Sequence, residues 1–387
     1  MSDGSRFPVN LLTQSKADRL AYFKSYTIAH PALKKLDARL KRIIEEPGDA
    51  GLIFVYGPTG VGKSTLMDRV AARLEVEDAP GSGRATLPVL KLEASAPEQG
   101  NFHWGQFYRQ ALIELETRFL REKMEYSDGP VYFDRAGNLL IGKRHPVQEF
   151  RETVEKALRY RRPKAFLIDE AQHLAKMASG RKLQDQMDAL KSLANRSGTL
   201  LVLIGTYELL NFQRLSGQLS RRSLGLHFPR YGTRNEELKT FQSIVYGFQR
   251  QMPVMKEPEL LKNWEYVYLR SLGCVGILKP WLVRALKESY ENGEKTVTAR
   301  TLESCALSVV ECERIAAEMI AGEERLKEKG AGDSQRLSRM LGLSERVKDE
   351  NISTEPPVIK KAEEVVALKP ELRRGVGQRK PKRNDVP

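Results

Sequence analysis

One short motif constrains the fold of this chain more than any other feature of the sequence. Residues 57–65 read GPTGVGKST and fit the pattern G-x-x-x-x-G-K-[ST]. An apolar run, GLIFVY, precedes the motif at 51–56, and a helical pattern follows it. A strand, a glycine-rich turn and a helix N-terminus together form a phosphate cradle, because backbone N–H groups and the helix dipole point at the anion. A chance glycine-rich turn is the alternative. The candidate nucleotide-binding residues are Gly57, Pro58, Thr59, Gly60, Val61, Gly62, Lys63, Ser64 and Thr65.

The motif implies chemistry that needs an acidic partner. In such cradles Lys63 reaches the β- and γ-phosphates of ATP, and the Ser64 hydroxyl binds Mg²⁺. The run AFLIDE at 165–170 supplies the acids. Asp169, at the carboxyl end of a strand, is predicted to hold Mg²⁺ through water. Glu170 is predicted to align and deprotonate the attacking water, which favours hydrolysis over simple switching. The alternative for this pair is a cap at the start of a helix.

Apolar strand patterns alternate with helical patterns in the first 234 residues, which predicts a parallel α/β sheet. One extra strand falls between the phosphate-loop strand and the acidic strand. That layout is typical of the additional-strand, catalytic-glutamate division of P-loop ATPases. The predicted strands are 51–56, 87–92, 165–168 and 200–204, and the predicted helices between them are 63–75, 104–124, 147–160 and 181–196.

Polar residues follow two later apolar runs. Thr206 comes at the end of the apolar strand Leu200–Gly205, where its side chain can bond the γ-phosphate or the attacking water. Arg221 and Arg222 precede the apolar stretch at 224–228. An arginine there can reach the nucleotide of a neighbouring subunit, which is the arginine-finger device. The sequence does not separate the two arginines, and a solvated basic pair is the alternative.

The second half of the chain reads differently. Strand signals fade near residue 235, and helices are predicted at 235–251, 257–271, 278–291 and 298–328, with Thr298 as the N-cap of the last. Residues 355–387 are proline-rich and net basic, so we expect a flexible tail. Residues 1–20 are polar and are expected to be loosely ordered, before a helix at 31–46. The predicted organisation is a leader (1–46), a nucleotide-binding core (47–234), a helical lid (235–328) and a flexible basic tail (329–387).

The charge of the chain points to an anionic partner. Lys plus Arg number 64 and Asp plus Glu number 50, a net charge of +14, which favours nucleic acid. The segment VYFDRAGNLLIGKR at 131–144 is predicted to form a hairpin with Arg135 at its turn and Lys143 and Arg144 at its end. These cations can contact DNA phosphates without choosing a sequence. A solvated surface hairpin is the alternative.

The sequence also excludes several classes of protein. No run of about 20 apolar residues is present to span a bilayer, and the N-terminus lacks the apolar core of a signal peptide. Three cysteines cannot build a disulfide scaffold, and none is paired as CxxC. We therefore expect a cytoplasmic protein without a membrane partner.

These motifs together resemble AAA+ ATPases, and most closely the transposition regulators TnsC and TniB, which are relatives of phage Mu protein B. The segment RLAYFKSYTIAHPALKKLDARL at 19–40 resembles the leader that these proteins place before their first strand. GLIFVYGPTGVGKSTLMDRV at 51–70, FLIDEAQHL at 166–174 and LVLIGTYELL at 201–210 resemble their nucleotide-binding motifs and sensor strand. The resemblance covers roughly residues 19–320.

The resemblance implies a five-stranded parallel sheet with a small helical lid. It also implies an ATP-loaded ring or filament that wraps double-stranded DNA, marks the insertion target, and works with a transposase and a target-selection protein. GCVGILKPWLVRAL at 273–286 departs from the pattern, because many AAA+ proteins carry a sensor arginine there; Lys279 and Arg284 are the candidates. Two alternatives remain: a signalling or defence ATPase that acts on a protein partner, and a replication-initiator or loader ATPase.

Overall fold

The chain divides into two compact units, Met1–Glu328 and Lys329–Pro387. The finer divisions near residues 46 and 234 stay predictions. No helix in the part of the chain that the structure describes is long and apolar enough to cross a membrane. In this computed structural model the described residues are 6–77, 86–97, 102–117, 131–133, 139–141, 145–174, 181–213, 222–331 and 333–342.

Five parallel strands form the central sheet of the first unit, in the order β2-β5-β6-β1-β7. Strands β1, β5 and β6 are buried along their whole length, as expected for a parallel sheet covered on both faces. The predicted parallel α/β fold is therefore confirmed, and β5, β6 and β1 lie side by side. The strands are β1 Leu52–Tyr56, β2 Val89–Glu93, β3 Val131–Phe133, β4 Leu139–Ile141, β5 Ala165–Asp169, β6 Leu200–Gly205 and β7 Ser223–His227.

Strands β3 and β4 form a separate antiparallel pair, with Val131 opposite Ile141. The two strands of the predicted hairpin are thus confirmed. Its turn and basic end, with Arg135, Lys143 and Arg144, lie outside the described residues, as does the predicted tail at 355–387.

Helices cover both faces of the sheet, and alternate side chains of β1 pack against them. Phe54 lies in the apolar cluster formed with α4, α5 and α6, whereas Ile53 and Val55 lie in the cluster formed with α2 and α3. This alternation is the two-residue period of a strand. A 3₁₀ helix, Val9–Thr13, comes first, followed by α1 Lys16–Ser25, α2 Pro31–Glu45, α3 Lys63–Glu77, α4 Trp104–Thr117, α5 Val147–Arg161, α6 Arg181–Ser197 and α7 Leu210–Gln213.

The expectation of a loosely ordered N-terminus was wrong for residues 6–20. Helix α1 begins with a cap, because the Ser15 side chain accepts a hydrogen bond from the backbone N–H of Asp18. Phe23 is fully buried, and its ring centroid lies 6.3 Å from that of Phe248 in the helical region. Burial against a distant part of the chain orders a segment whose own composition is mostly polar.

The helical region is broken more often than its sequence pattern predicts. The predicted helix at 257–271 begins only at Trp264, and the predicted helix at 298–328 is interrupted at 305–308. The cap at Thr298 is confirmed, because its side chain accepts a hydrogen bond from the N–H of Thr301. The helices are α8 Asn235–Gln251, α9 Trp264–Ser271, α10 Val275–Glu291, α11 Ala299–Ser304, α12 Val309–Ala331 and, in the second unit, α13 Asp333–Met340.

Side-chain hydrogen bonds explain both breaks. The Glu257 carboxylate accepts hydrogen bonds from Gln249 (2.7 Å) and Arg250 (3.1 Å). These bonds hold the segment after α8 against the end of that helix in a non-helical conformation. Ser308 and Glu311 form a capping box, since the Ser308 hydroxyl accepts from the N–H of Glu311 and the Glu311 carboxylate accepts from the N–H of Ser308. This capping box starts α12 as a new helix.

Candidate nucleotide-binding site

The phosphate loop connects β1, which ends at Tyr56, to α3. Gly60 (φ +75°) and Gly62 (φ +108°) adopt left-handed backbone conformations that favour glycine. Gly57 is required for another reason, because a Cβ there would lie 2.2 Å from the backbone oxygen of Phe228. The two fixed glycines of the motif, Gly57 and Gly62, therefore occupy positions whose geometry favours glycine.

Lys63 lies buried at the start of α3, and its ammonium points back into the loop. Its Nζ donates hydrogen bonds to the backbone oxygens of Pro58 (2.8 Å) and Gly57 (3.2 Å). Burial lowers the pKa of Lys63, and the carboxylates of Glu170 and Asp169 oppose that shift. An ammonium has three donors, and the described residues accept two of them here, so one remains for an anion held in the loop.

The two acids lie at the carboxyl end of β5, as predicted. Asp169 is the last residue of the strand and is buried. Glu170 follows with φ +50°, an unusual conformation for a residue with a side chain, and its N–H donates to Asp169 Oδ1 at 2.9 Å. The hydrogen bond fixes the orientation of the Asp169 carboxylate next to Glu170. Strained backbone of the kind seen at Glu170 occurs often at functional sites.

Gln172 links the acidic pair to the end of β6, which the sequence analysis did not anticipate. Its Nε2 donates to Glu170 Oε2, and its Oε1 accepts from the backbone N–H of Thr206 at 3.1 Å. Gly205 makes room for this bridge, because a Cβ there would lie 2.3 Å from Gln172 Oε1. The Glu170 carboxylate and the sensor strand are therefore connected through one buried amide.

Thr206 meets its predicted position at the end of β6. Its Oγ1 is buried and has no hydrogen-bond partner among the described residues. A buried hydroxyl without a partner costs free energy, so this atom fits a site that receives a polar ligand. Thr206, Lys63 and the acidic pair therefore lie together at the carboxyl ends of three adjacent strands, β6, β1 and β5.

A cavity of about 220 Å³ opens beside the loop. The leader contributes Tyr26 and Ile28, the loop contributes Val61, and α10 contributes Val275. His30 also lines it, and burial lowers the pKa of His30 to about 4, so this imidazole is neutral at pH 7. The aromatic and aliphatic side chains in this wall, next to the phosphate loop, suit a planar, uncharged ring.

The two candidates for a sensor cation in α10 are both engaged elsewhere. Lys279 lines the cavity, but its Nζ donates to the backbone oxygen of Phe23 and lies 3.5 Å from the centroid of the Phe23 ring. Burial lowers the pKa of Lys279 to about 7. Arg284 donates to the backbone oxygen of Cys305 at 3.1 Å. Neither side chain donates to the phosphate loop.

Arg222 lies at the amino-terminal ends of the parallel strands, whereas the phosphate loop lies at their carboxyl ends. It is exposed and precedes β7, and its backbone oxygen accepts from the N–H of Gly51, just before β1. The five residues of β1 separate the amino-terminal end from the loop by about 16 Å. Arg221 lies outside the described residues.

Helix α10 touches the phosphate loop through a glycine, which gives a testable contact. A Cβ at Gly276 would lie 2.5 Å from the backbone oxygen of Gly60. We expect Gly276→Ala to weaken ADP binding about tenfold in calorimetry, because overpacking of this kind must displace the loop or the helix. Gly105→Ala is a matched control, since its Cβ would make an ordinary 3.5 Å contact. Unchanged ADP binding by Gly276→Ala would contradict a close contact between α10 and the phosphate loop at the nucleotide site.

The strand order, the phosphate loop after β1 and the acids at the carboxyl end of β5 define the fold of an AAA+ P-loop ATPase. Residues 45–212 match a family model described as an AAA domain, and this match together with the fold supports ATPase activity. No curated protein matches the chain significantly.

Some solved structures are similar to the chain at low sequence identity. The Aeropyrum pernix ORC1 protein in complex with DNA is 16% identical, with a TM-score of 0.47 over 79% of this chain and 70% of that one. The Aeropyrum pernix ORC2 protein is 14% identical, with a TM-score of 0.46 over 75% and 71%. Domain III of the Thermotoga maritima replication initiation protein DnaA is 16% identical, with a TM-score of 0.38 over 77% and 96%. Likenesses this distant indicate no particular function.

Proposed function

We propose that this ATPase binds and hydrolyses Mg·ATP at the edge where β1, β5 and β6 end. The observation that carries the proposal is the convergence of Lys63, Glu170 and the partnerless Thr206 hydroxyl at that edge. The loop amides and Lys63 hold the β- and γ-phosphates, and Thr206 bonds the γ-phosphate or the attacking water. Glu170 aligns that water and accepts its proton. The nucleobase occupies the cavity between the leader and α10.

Ser64 and Asp169 are the proposed Mg²⁺ partners. A hydroxyl and a carboxylate are hard oxygen donors of the kind that Mg²⁺ prefers, and the two residues begin a helix and end a strand beside the loop. The ion, when bound, offsets the negative charge that develops on the phosphates. Asp169 Oδ1 already accepts the N–H of Glu170, which fixes the orientation of this carboxylate.

We further propose that the ATPase cycle controls assembly on double-stranded DNA, as in the TnsC and TniB group. In this proposal a ring or filament binds DNA without sequence preference, marks the insertion target, and recruits a transposase together with a target-selection protein. The net charge of +14 supports an anionic partner. The segment that resembles the leader of that group packs α1 on the helical region and α2 on the core, and it lines the cavity proposed for the nucleobase.

Assembly would place Arg222 at the nucleotide of a neighbouring subunit. Its own phosphate loop lies at the far edge of the sheet, about 16 Å away along β1, beyond the reach of its side chain. As an exposed arginine at the start of an edge strand, it is open to contact by another copy of the chain.

DNA binding gives the decisive experiment for this proposal. We expect binding to require ATP, to be nearly indifferent to sequence, and to fall steeply as salt rises, because counterions are released from the phosphates. Electron microscopy with ATP and duplex DNA should show rings or filaments. The triple variant Arg135→Ala, Lys143→Ala and Arg144→Ala should bind every duplex more weakly and with a flatter salt dependence.

Three other results would redirect the proposal. Equal binding by the triple variant across a salt series would move the DNA contact away from the hairpin. ATP-dependent assembly without DNA, on a protein partner, would favour a signalling or defence ATPase. Preference for one duplex sequence would favour a replication-initiator or loader ATPase.

A further inference from the structure

Helix α12 crosses the carboxyl edge of the sheet beside the nucleotide site. Gly322 is buried against Tyr207, and a Cβ there would lie 2.1 Å from the Tyr207 ring. Tyr207 in turn is fixed by a 2.9 Å hydrogen bond between its hydroxyl and His227 Nε2. This close approach sets both the height and the rotation of α12 above the ends of β6 and β7.

A two-pronged ion pair holds the same turn of α12. Arg230 Nε lies 2.8 Å from Glu323 Oε1, and the second guanidinium nitrogen lies 3.2 Å from Glu323 Oε2. Arg230 follows β7, the edge strand next to β1. Fork-to-carboxylate pairs of this geometry add directional specificity as well as attraction. The contact at Gly322 and this ion pair therefore act together as one clamp.

The clamp leaves a cavity of about 350 Å³ between α12 and the hydrolysis side of the phosphate loop. Pro58 and Thr59 line it from the loop, and Thr206 lines it from the end of β6. The buried Thr206 Oγ1 and His173 Nδ1 have no partner among the described residues. Both residues line the cavity, so its wall contains buried polar atoms that have no partner among the described residues.

Arg325 enters this cavity from α12, three residues after Gly322 and so on the same helix face. It is the only lysine or arginine among the described residues that line the cavity. Glu208 and Glu318 also line it, but both are exposed, and water screens their charge. Arg325 is exposed too, so its long side chain is free to move toward an anion.

We propose that Arg325 contacts the terminal phosphate of ATP bound in its own subunit, and that the clamp of Gly322 and Glu323 positions it there. This inference rests on the proposed ATP site. It assigns to α12 the cation that neither Lys279 nor Arg284 supplies from α10. Because ADP lacks the terminal phosphate, Arg325 distinguishes the triphosphate from the diphosphate.

The test compares the binding of two nucleotides by calorimetry, with Mg²⁺ present throughout. Arg325→Ala is expected to weaken binding of the non-hydrolysable analogue AMP-PNP about tenfold and binding of ADP less than about twofold, as for one lost charge-assisted hydrogen bond. Arg325→Lys keeps the charge without the fork and should retain part of the selectivity. Lys327→Ala, an exposed residue on the same helix, should match the wild type.

A second variant tests whether Glu323 positions Arg325. Glu323→Gln removes the charge of the clamp, and it should lower AMP-PNP affinity selectively, by less than Arg325→Ala does. A loss that is equal for both nucleotides would show that α12 only supports the fold, and this would overturn the proposal. So would wild-type binding of both nucleotides by Arg325→Ala.

Lys63→Ala separates this inference from the proposed function. If Lys63→Ala loses both nucleotides while Arg325→Ala binds both normally, the ATP site stands and the role of Arg325 fails. If the wild type binds neither nucleotide, or Lys63→Ala binds both normally, the ATP site itself is wrong and the role of Arg325 falls with it.

Discussion

Glu170→Gln is expected to lower ATP turnover by ~10²-fold or more while nucleotide binding stays close to that of the wild type. The substitution removes the base that accepts a proton from water but keeps the size of the side chain. The amide oxygen can still accept the hydrogen bond from Gln172, so the bridge to Thr206 is retained. ATP-dependent assemblies on DNA should persist longer, because hydrolysis no longer ends them.

The measurement pairs phosphate release with nucleotide binding on the same preparation. Glu303→Gln removes an exposed carboxylate on α11 and should hydrolyse ATP at the wild-type rate. Turnover by Glu170→Gln that equals the wild-type rate would contradict the assignment of the base. Loss of both binding and turnover would instead point to damage at the turn, where Glu170 has its left-handed backbone.

The parts of the site that can be predicted from the sequence are those whose geometry depends on residues close together in the chain. The phosphate loop is one continuous segment, and its glycines are required by backbone conformation and close contact at Gly57, Gly60 and Gly62. Asp169 follows from the rule that ligands bind at the carboxyl ends of parallel strands, and the structure places it there.

Other parts depend on contacts between distant segments, and no local pattern reports them. Arg230 and Glu323 are 93 residues apart in sequence, and the pairing exists only because α12 folds back over the sheet. The leader is similar: Phe23 is buried by Phe248, a residue of α8. Gln172 could have been noticed, since a polar residue two positions after an acidic pair sits in the same turn.

The predicted boundaries of the helices after residue 235 were wrong for a different reason. Hydrophobic periodicity continues through 305–308, but Ser308 and Glu311 cap a new helix there. A serine three residues before a glutamate is a readable start signal, and it competes with the apolar period. The interruption matters for the site, because α12 begins there as a separate helix, and this helix lines the cavity beside Pro58 and Thr59.

The arginine pair at 221–222 should control turnover without affecting nucleotide binding. We expect the double variant Arg221→Ala, Arg222→Ala to lose of the order of 10³-fold in ATP turnover, as when an arginine finger is removed. Its own phosphate loop is intact, so nucleotide affinity should be unchanged. Single variants then assign the role to one arginine of the pair. For the wild type, turnover per subunit should rise with protein concentration, since the contact forms only between subunits.

Mixing two inactive proteins tests whether the arginine acts across a subunit boundary. The double arginine variant has a working phosphate loop, whereas Lys63→Ala loses nucleotide binding but keeps both arginines. Mixed at several ratios, they should regain activity, because an arginine of one subunit completes the site of the next. Arg222 lies at the opposite edge of the sheet from its own loop, so a finger acting within one subunit is geometrically excluded for this residue. Absence of rescue at every ratio would therefore remove Arg222 from the catalytic site altogether.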